Sequence, residues 1–179
     1  LLSKKNKKLS PFKLKLPSPK ETGRTFLENS KLKARFFSKK TGMISISDDS
    51  GLAVSCLSNK PGIYSARWAK RYGGFKNAMK KIIELVNTKN KKKTFENRNA
   101  EFICSLTLKD PKGGFVSAIG KIKGKISKKI LGNKGFGYDS IFVPKGKSIT
   151  FGQMSKRKKI LMDHRYLAFQ KLKKKTNIL

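Results

Sequence analysis

Histidine and cysteine are almost missing from this chain, which has one His and two Cys in 179 residues. With no Cys-x-x-Cys pair, a histidine–cysteine zinc site is argued against. Cys56 and Cys104 lie in apolar, strand-like runs. They read as small buried hydrophobes of a reducing, cytoplasmic setting, with a disulfide or metal pair as the lesser alternative. No apolar run approaches the roughly 18 residues of a membrane span. Behind the basic start LLSKKNKKLS there is no apolar stretch of the kind a signal peptide has. No membrane partner is therefore expected. Internal repeats and linkers are also missing, so residues 1–179 read as a single domain.

Acid is the other scarcity: 10 Asp and Glu stand against 44 Lys and Arg, a formal charge of +34. Such an excess invites a nucleic-acid reading, because basic surfaces displace counterions from phosphate. Two features weigh against it. Only 7 of the basic residues are Arg and 37 are Lys, whereas base readout and bidentate phosphate recognition favour Arg. The lysines are also spread along the whole chain. Nonspecific binding to polyanions at low salt is expected in either case.

Hydrophobic patterning then supplies the elements. Residues 1–20, with Pro11, Pro17 and Pro19, read as a short strand or extended arm. Thr25-Phe-Leu-Glu28 is a capping-box pattern. Phe26, Leu32, Phe36 and Phe37 continue a helical stripe over 24–40, and Gly42 stops it. Met43–Ile46 reads as a strand ending at Asp48-Asp49-Ser50-Gly51, and Leu52–Leu57 as a second strand. Phe75, Met79, Ile82, Ile83 and Val86 recur at helical spacing and predict a helix over 74–87. Ala100, Phe102, Cys104, Leu106 and Leu108 alternate as one face of a half-buried strand. Asp110–Gly114 is a turn, and 115–126 is the antiparallel partner. A glycine-rich loop follows at 131–139, then a short strand at 141–143 and a basic helix at 164–175. This order predicts an α/β fold with a mixed, elongated central sheet flanked by helices.

Four sites carry candidate chemistry. At Asp48-Asp49, adjacent carboxylates raise one another's pKa unless a cation offsets them. Magnesium, a hard ion that takes one or two carboxylates and completes its shell with water and phosphate oxygens, suits them. A polar turn whose side chains cap backbone groups is the alternative. Glu21, close to a helix N-terminus, is a second metal candidate or a charge favouring the macrodipole. In Gly135-Phe136-Gly137-Tyr138-Asp139 the glycines let a ring face a cleft, where a base could stack on Phe136. A turn with a buried Phe fits the pattern as well. Lys158-Lys159 and His164-Arg165 suggest recognition of an anion or a base edge, although a lone His is more often structural.

Taken in order, ETGRTFLENSKLKAR (21–35), SDDSGLAV (47–54), PGIYSARWA (61–69), AEFICSLTL (100–108), GNKGFGYDSIFVP (132–144), TFGQM (150–154) and K…DHR…A…KL (159–172) resemble the inosine triphosphate pyrophosphatase family. The resemblance spans the chain from residue 21 onward. It implies an α/β homodimer that requires Mg2+ and hydrolyses non-standard purine nucleoside triphosphates (ITP, dITP, XTP) to a monophosphate and pyrophosphate. It implies metal ligation by Glu21 and Asp49, with Asp49 as general base supported by Asp48. Lys33 corresponds to a phosphate-binding lysine. Ser50, Phe136, Gly137, Tyr138, Asp139, Lys159, His164 and Arg165 correspond to the substrate-binding set. Lys33 and Lys159 would stabilise charge on the leaving pyrophosphate. Arg165, which offers only donors, suits a 6-oxo purine and rejects the 6-amino group of adenine.

The chain departs from the family pattern in places. The family opens with a strand and a Ser/Thr-x-Asn-x-x-Lys loop, and neither is found here, so the expectation is either a truncated N-terminus or a protein that has lost that part. Ser140 stands where Pro is usual, Gly152-Gln153 where Ala-Glu is usual, and Asp163 where Ser is usual. Two rivals follow from these features. One is a basic nucleic-acid-binding protein on a nucleotidase-like scaffold. The other is an inactive truncated fragment.

Overall fold

The computed structural model describes residues 9–91, 94 and 96–176. Residues 1–8 of the expected N-terminal arm lie outside this range. Within 9–20 the chain forms a turn over 11–15 and no strand.

In chain order the elements are α1 (Phe26–Thr41), β1 (Ser45–Val54), β2 (Lys60–Pro61), α2 (Ser65–Arg71), α3 (Phe75–Asn90), β3 (Asn99–Lys109), β4 (Phe115–Ile126), β5 (Phe142–Pro144), α4 (Lys156–Ile160) and α5 (His164–Lys173). Among the described residues the strands form one five-stranded sheet in the order β2-β1-β3-β4-β5. The fold is α/β, as the element order suggested. β1 pairs antiparallel with β2 and β4 with β5. The β3–β4 connection, residues 110–114, is too short for a crossover, so that pair is antiparallel too. No parallel element of the expected mixed sheet enters these three pairings.

The chain groups into two compact units. The first comprises residues 1–49, 104–120 and 167–179. Its core gathers Cys104, Leu106, Leu108, Ala118, Ala168, Phe169 and Leu172. α1 starts as its capping box dictates: the Thr25 hydroxyl accepts from Glu28 N at 3.1 Å, and the Glu28 carboxylate accepts from Arg24 N at 2.8 Å. Gly42, in the left-handed region, closes the helix. The inward face of α1 differs from the expected aromatic stripe. Its buried residues are Asn29, Ser30, Ala34 and Ser38. Ser30 Oγ meets Ser105 Oγ at 2.9 Å and Thr107 Oγ1 at 2.8 Å, and Thr107 meets Ser117 at 2.9 Å. Ser30 serves this face because its hydroxyl pairs with the strand hydroxyls, which a Phe ring would leave unpaired.

The second unit comprises residues 50–103 and 121–166. Leu52, Val54, Met79, Ile82, Val86, Phe102, Ile126, Phe142 and Phe151 lie in its core. α3 buries Met79, Ile82 and Val86 of the predicted stripe together with Ala78, leaves Phe75 exposed and Ile83 half-buried, and extends to Asn90. Arg98, only 8% exposed, stitches the unit together. Its guanidinium donates to Ile126 O (2.8 Å), Asn87 Oδ1 (2.8 Å) and Ser127 O (3.0 Å). Arg98→Met leaves these acceptors without their donor. It is expected to cost about 2 kcal/mol or more, read as a lower urea midpoint at constant m-value.

β1 overturns one expectation. Asp48-Asp49-Ser50-Gly51 is not a turn between two strands. A single ten-residue strand runs through it, with Asp49 buried. Cys56, half-buried, lies beyond that strand in a short 3-10 turn, and Cys104 is buried. α2 and α4 are short helices that no periodicity announces.

Candidate active site

In the first unit, Glu21, Asn29, Lys33 and Asp49 come together. Asn29 and Lys33 are four residues apart on α1 and therefore share a face. Lys33 Nζ lies 2.8 Å from Glu21 Oε1 and 3.0 Å from Asp49 Oδ1. Asn29 donates from Nδ2 to Asp49 Oδ2 at 3.2 Å, and its Oδ1 accepts from Gly23 N at 2.8 Å. The amide thus fixes both the 21–23 segment and the Asp49 carboxylate. Burial pushes the Asp49 carboxyl above its usual value, with Lys33 partly offsetting this. Burial also opposes the Lys33 ammonium, but the hydrogen bonds and charges of Glu21 and Asp49 prevail and raise its pKa.

Strand alternation sends Asp48 to the face opposite Asp49, so the two adjacent carboxylates do not converge on one cation. The carboxylate that pairs with Asp49 comes instead from Glu21. Asn29 was missed by sequence reasoning. Its spacing from Lys33 on α1 was the signal that could have found it.

Among the described residues no group of three or more His, Cys, Asp and Glu gathers as a metal cage. The Glu21–Asp49 pair nevertheless fits a hard cation. Two carboxylates already bracket a positive charge, and such an ion draws its remaining ligands from water and phosphate.

The second unit holds the other cluster. Asp139, 2% exposed, accepts from Lys159 Nζ at 2.6 Å and from Phe136 N at 2.7 Å. Burial pushes its carboxyl pKa up, against the Lys159 and Phe136 hydrogen bonds. Gly135 has φ +81°, and a Cβ there would collide with the Asp139 carboxylate. Glycine is therefore required for the loop to wrap its own acid. Phe136 is 62% exposed, with Lys159 Nζ 4.5 Å and the Arg165 guanidinium 5.4 Å from its ring centroid. Arg165 Nη2 also lies 3.4 Å from Ser50 Oγ.

Tyr138 is buried, and its hydroxyl donates to Ser65 O at 2.8 Å. Burial pushes this phenol's pKa far up, so it anchors the loop as a neutral donor. Gly137, at φ +64°, turns the chain between Phe136 and Tyr138. His164 is 4% exposed and stacks on Phe102 with centroids 4.8 Å apart and planes at 11°. Asp163 accepts from Tyr166 N at 2.8 Å, capping the start of α5. Phe102 was legible only as a core residue, since nothing local marks it as the support of a histidine.

Lys159 is buried, and its ammonium is tied to Asp139, so it supports the Phe136 loop.

One unit thus offers paired carboxylates around a cation. The other offers an exposed ring on a glycine-rich loop, flanked by an arginine of α5. These are the parts of a nucleotide hydrolase built on an α/β scaffold. The chain belongs to the Ham1 family, whose pattern matches residues 1–175. It is 42% identical over 160 residues to a dITP/XTP pyrophosphatase of Caulobacter vibrioides, covering 89% of this chain and 80% of that one. It is 38% identical over 172 residues to a dITP/XTP pyrophosphatase of Zymomonas mobilis, covering 92% and 81%. Among solved structures, a HAM1 protein from Coxiella burnetii is similar with a TM-score of 0.82 and 30% identity, covering 91% of this chain and 82% of that one. The Staphylococcus aureus Ham1 protein has a TM-score of 0.73 and 36% identity, covering 87% and 78%.

Proposed function

We propose that this protein hydrolyses non-standard purine nucleoside triphosphates, inosine and xanthosine forms, to the monophosphate and pyrophosphate. The observation that carries the reading is the Glu21–Asp49 pair closing on a positive charge. The relatives named dITP/XTP pyrophosphatase supply the substrate class.

In this reading Glu21 and Asp49 hold Mg2+. When bound there, the ion neutralises phosphate charge and polarises a phosphoryl oxygen. Asp49 takes the proton of a water whose oxygen attacks the α-phosphorus. The bond from that phosphorus to the bridging oxygen breaks, and pyrophosphate leaves. Asp49 is suited to the task because Asn29 holds its carboxylate in place. Asp48, on the opposite face, acts only through the strand. Lys33 meets the phosphate charge.

Phe136 stacks on the base, and Gly137 and Tyr138 shape its loop. Asp139 and Lys159 hold that loop in place. Arg165, steadied by Ser50, donates to the 6-oxo group of the purine. His164, stacked on Phe102, fixes the start of α5 and with it Arg165. A homodimer and a cytoplasmic setting, beside the nucleotide pool, belong to the same reading. Among the described residues no helix is long and apolar enough to cross a membrane.

The test is pyrophosphate release from inosine, xanthosine, adenosine and guanosine triphosphates, with and without magnesium. Metal-dependent turnover of the first two, at least tenfold above adenosine triphosphate, is expected from loss of a paired hydrogen bond at the base edge. Equal turnover of all four, or none, overturns the reading.

A further inference from the structure

The ammonium of Lys33 stands between Glu21 and Asp49, the two carboxylates that would hold a metal. Its nitrogen is 2.8 Å from one carboxylate oxygen and 3.0 Å from the other. A magnesium ion bound to the same oxygens sits roughly 2.0–2.1 Å from each. The two cations cannot share that space, and like charges at such separations repel strongly.

The two partners also differ in freedom. Asp49 is held by an amide that is itself fixed by Gly23 N. Lys33 reaches the acids on a flexible four-carbon stem, and its side chain retains 17% exposure. Asp49 is the rigid part and the ammonium is the movable one.

We propose that Lys33 is a built-in competitor of the divalent metal. Without nucleotide its ammonium closes the Glu21–Asp49 site. An arriving polyphosphate offers the ammonium another anion and frees both carboxylates. Metal then enters with the substrate and not before it. The proposal rests on the reading above, in which this site takes a divalent metal and a triphosphate. It adds an order of binding and assigns Lys33 to enforce it.

The test is metal binding by the nucleotide-free protein, followed with manganese by electron paramagnetic resonance. Lys33→Met is expected to bind manganese at least roughly tenfold more tightly than wild type, since a unit charge in contact with the site is removed. Lys33→Arg, which keeps the charge, is expected to stay close to wild type. Adding Glu21→Gln to Lys33→Met is expected to abolish the gain. Equal manganese affinity in wild type and Lys33→Met overturns the proposal.

A second measurement does not depend on the folding of any variant. In wild type carrying 15N-lysine, the Lys33 ammonium resonance should move as magnesium saturates the site. A resonance unmoved at saturation also overturns the proposal. Failure of every triphosphate to release pyrophosphate would instead sink the assigned activity, while the metal affinities would still decide the competition.

Discussion

Asp49→Asn is expected to lower pyrophosphate release from inosine triphosphate by about 10²- to 10⁴-fold, the usual worth of a positioned general base. The substitution preserves shape but removes the charge that binds a proton and a metal. It also disturbs a tightly specified set of hydrogen bonds. Asp49 accepts from Lys33 on one oxygen and from Asn29 on the other. Asn29 cannot turn its amide round, because its own oxygen is taken by Gly23 N. An asparagine at 49 must therefore point its NH2 at another donor, whichever way it faces. A stability loss of about 1–3 kcal/mol is expected from that unsatisfied contact. The rate is accordingly measured at a temperature where unfolding curves show the variant folded, with metal and substrate saturating. A rate within tenfold of wild type would move the base to another residue.

Lys159→Met is expected to destabilise the protein by about 3–5 kcal/mol at neutral pH, the cost of breaking a buried ion pair from one side. The methionine fills much of the lysine stem's volume and leaves Asp139 as a buried carboxylate with only Phe136 N to serve it. Burial already pushes the Asp139 carboxyl up despite Lys159, and without the ammonium it rises further. An acid whose folded pKa exceeds its unfolded value carries no penalty when both states are protonated. The penalty grows as pH rises above the unfolded value, about 3.9, and levels off beyond the folded pKa. The gap between variant and wild type should therefore be widest at neutral pH and shrink on acidification. Paired urea unfolding curves at several pH values check this, and a gap independent of pH would show that Asp139 does not hold the proton. Because Asp139 also holds Phe136 N, the variant should show a raised KM for inosine triphosphate. A purely structural ion pair would leave KM unchanged.

Local signals in the chain announced most of the architecture. The Thr25–Glu28 capping box and Gly42 delimit α1 to within two residues. The alternation from Ala100 to Leu108 predicts β3, and the turn at 110–114 predicts its pairing with β4. The stripe from Phe75 to Val86 marks α3. Each rests on neighbours within a turn or a strand, so a window of residues carries the information. The strand through Asp48–Gly51 escaped that window. Its polar residues look like a turn until Lys33 and Asn29, supplied by a distant helix, satisfy Asp49.

For the same reason the residue types of the site were visible while their alliances were not. The sequence by itself determined the α/β class, the hairpin, the main helices and the candidate acids, bases and ring. Only the tertiary structure decided that Lys33 bridges Asp49 to Glu21. It alone decided that Lys159 is tied to Asp139 and that His164 rests on Phe102. The physical reason is that a buried charge or ring takes its role from whichever group the fold brings within hydrogen-bonding or stacking reach. Those partners lie 16, 20 and 62 positions away along the chain, beyond any local pattern.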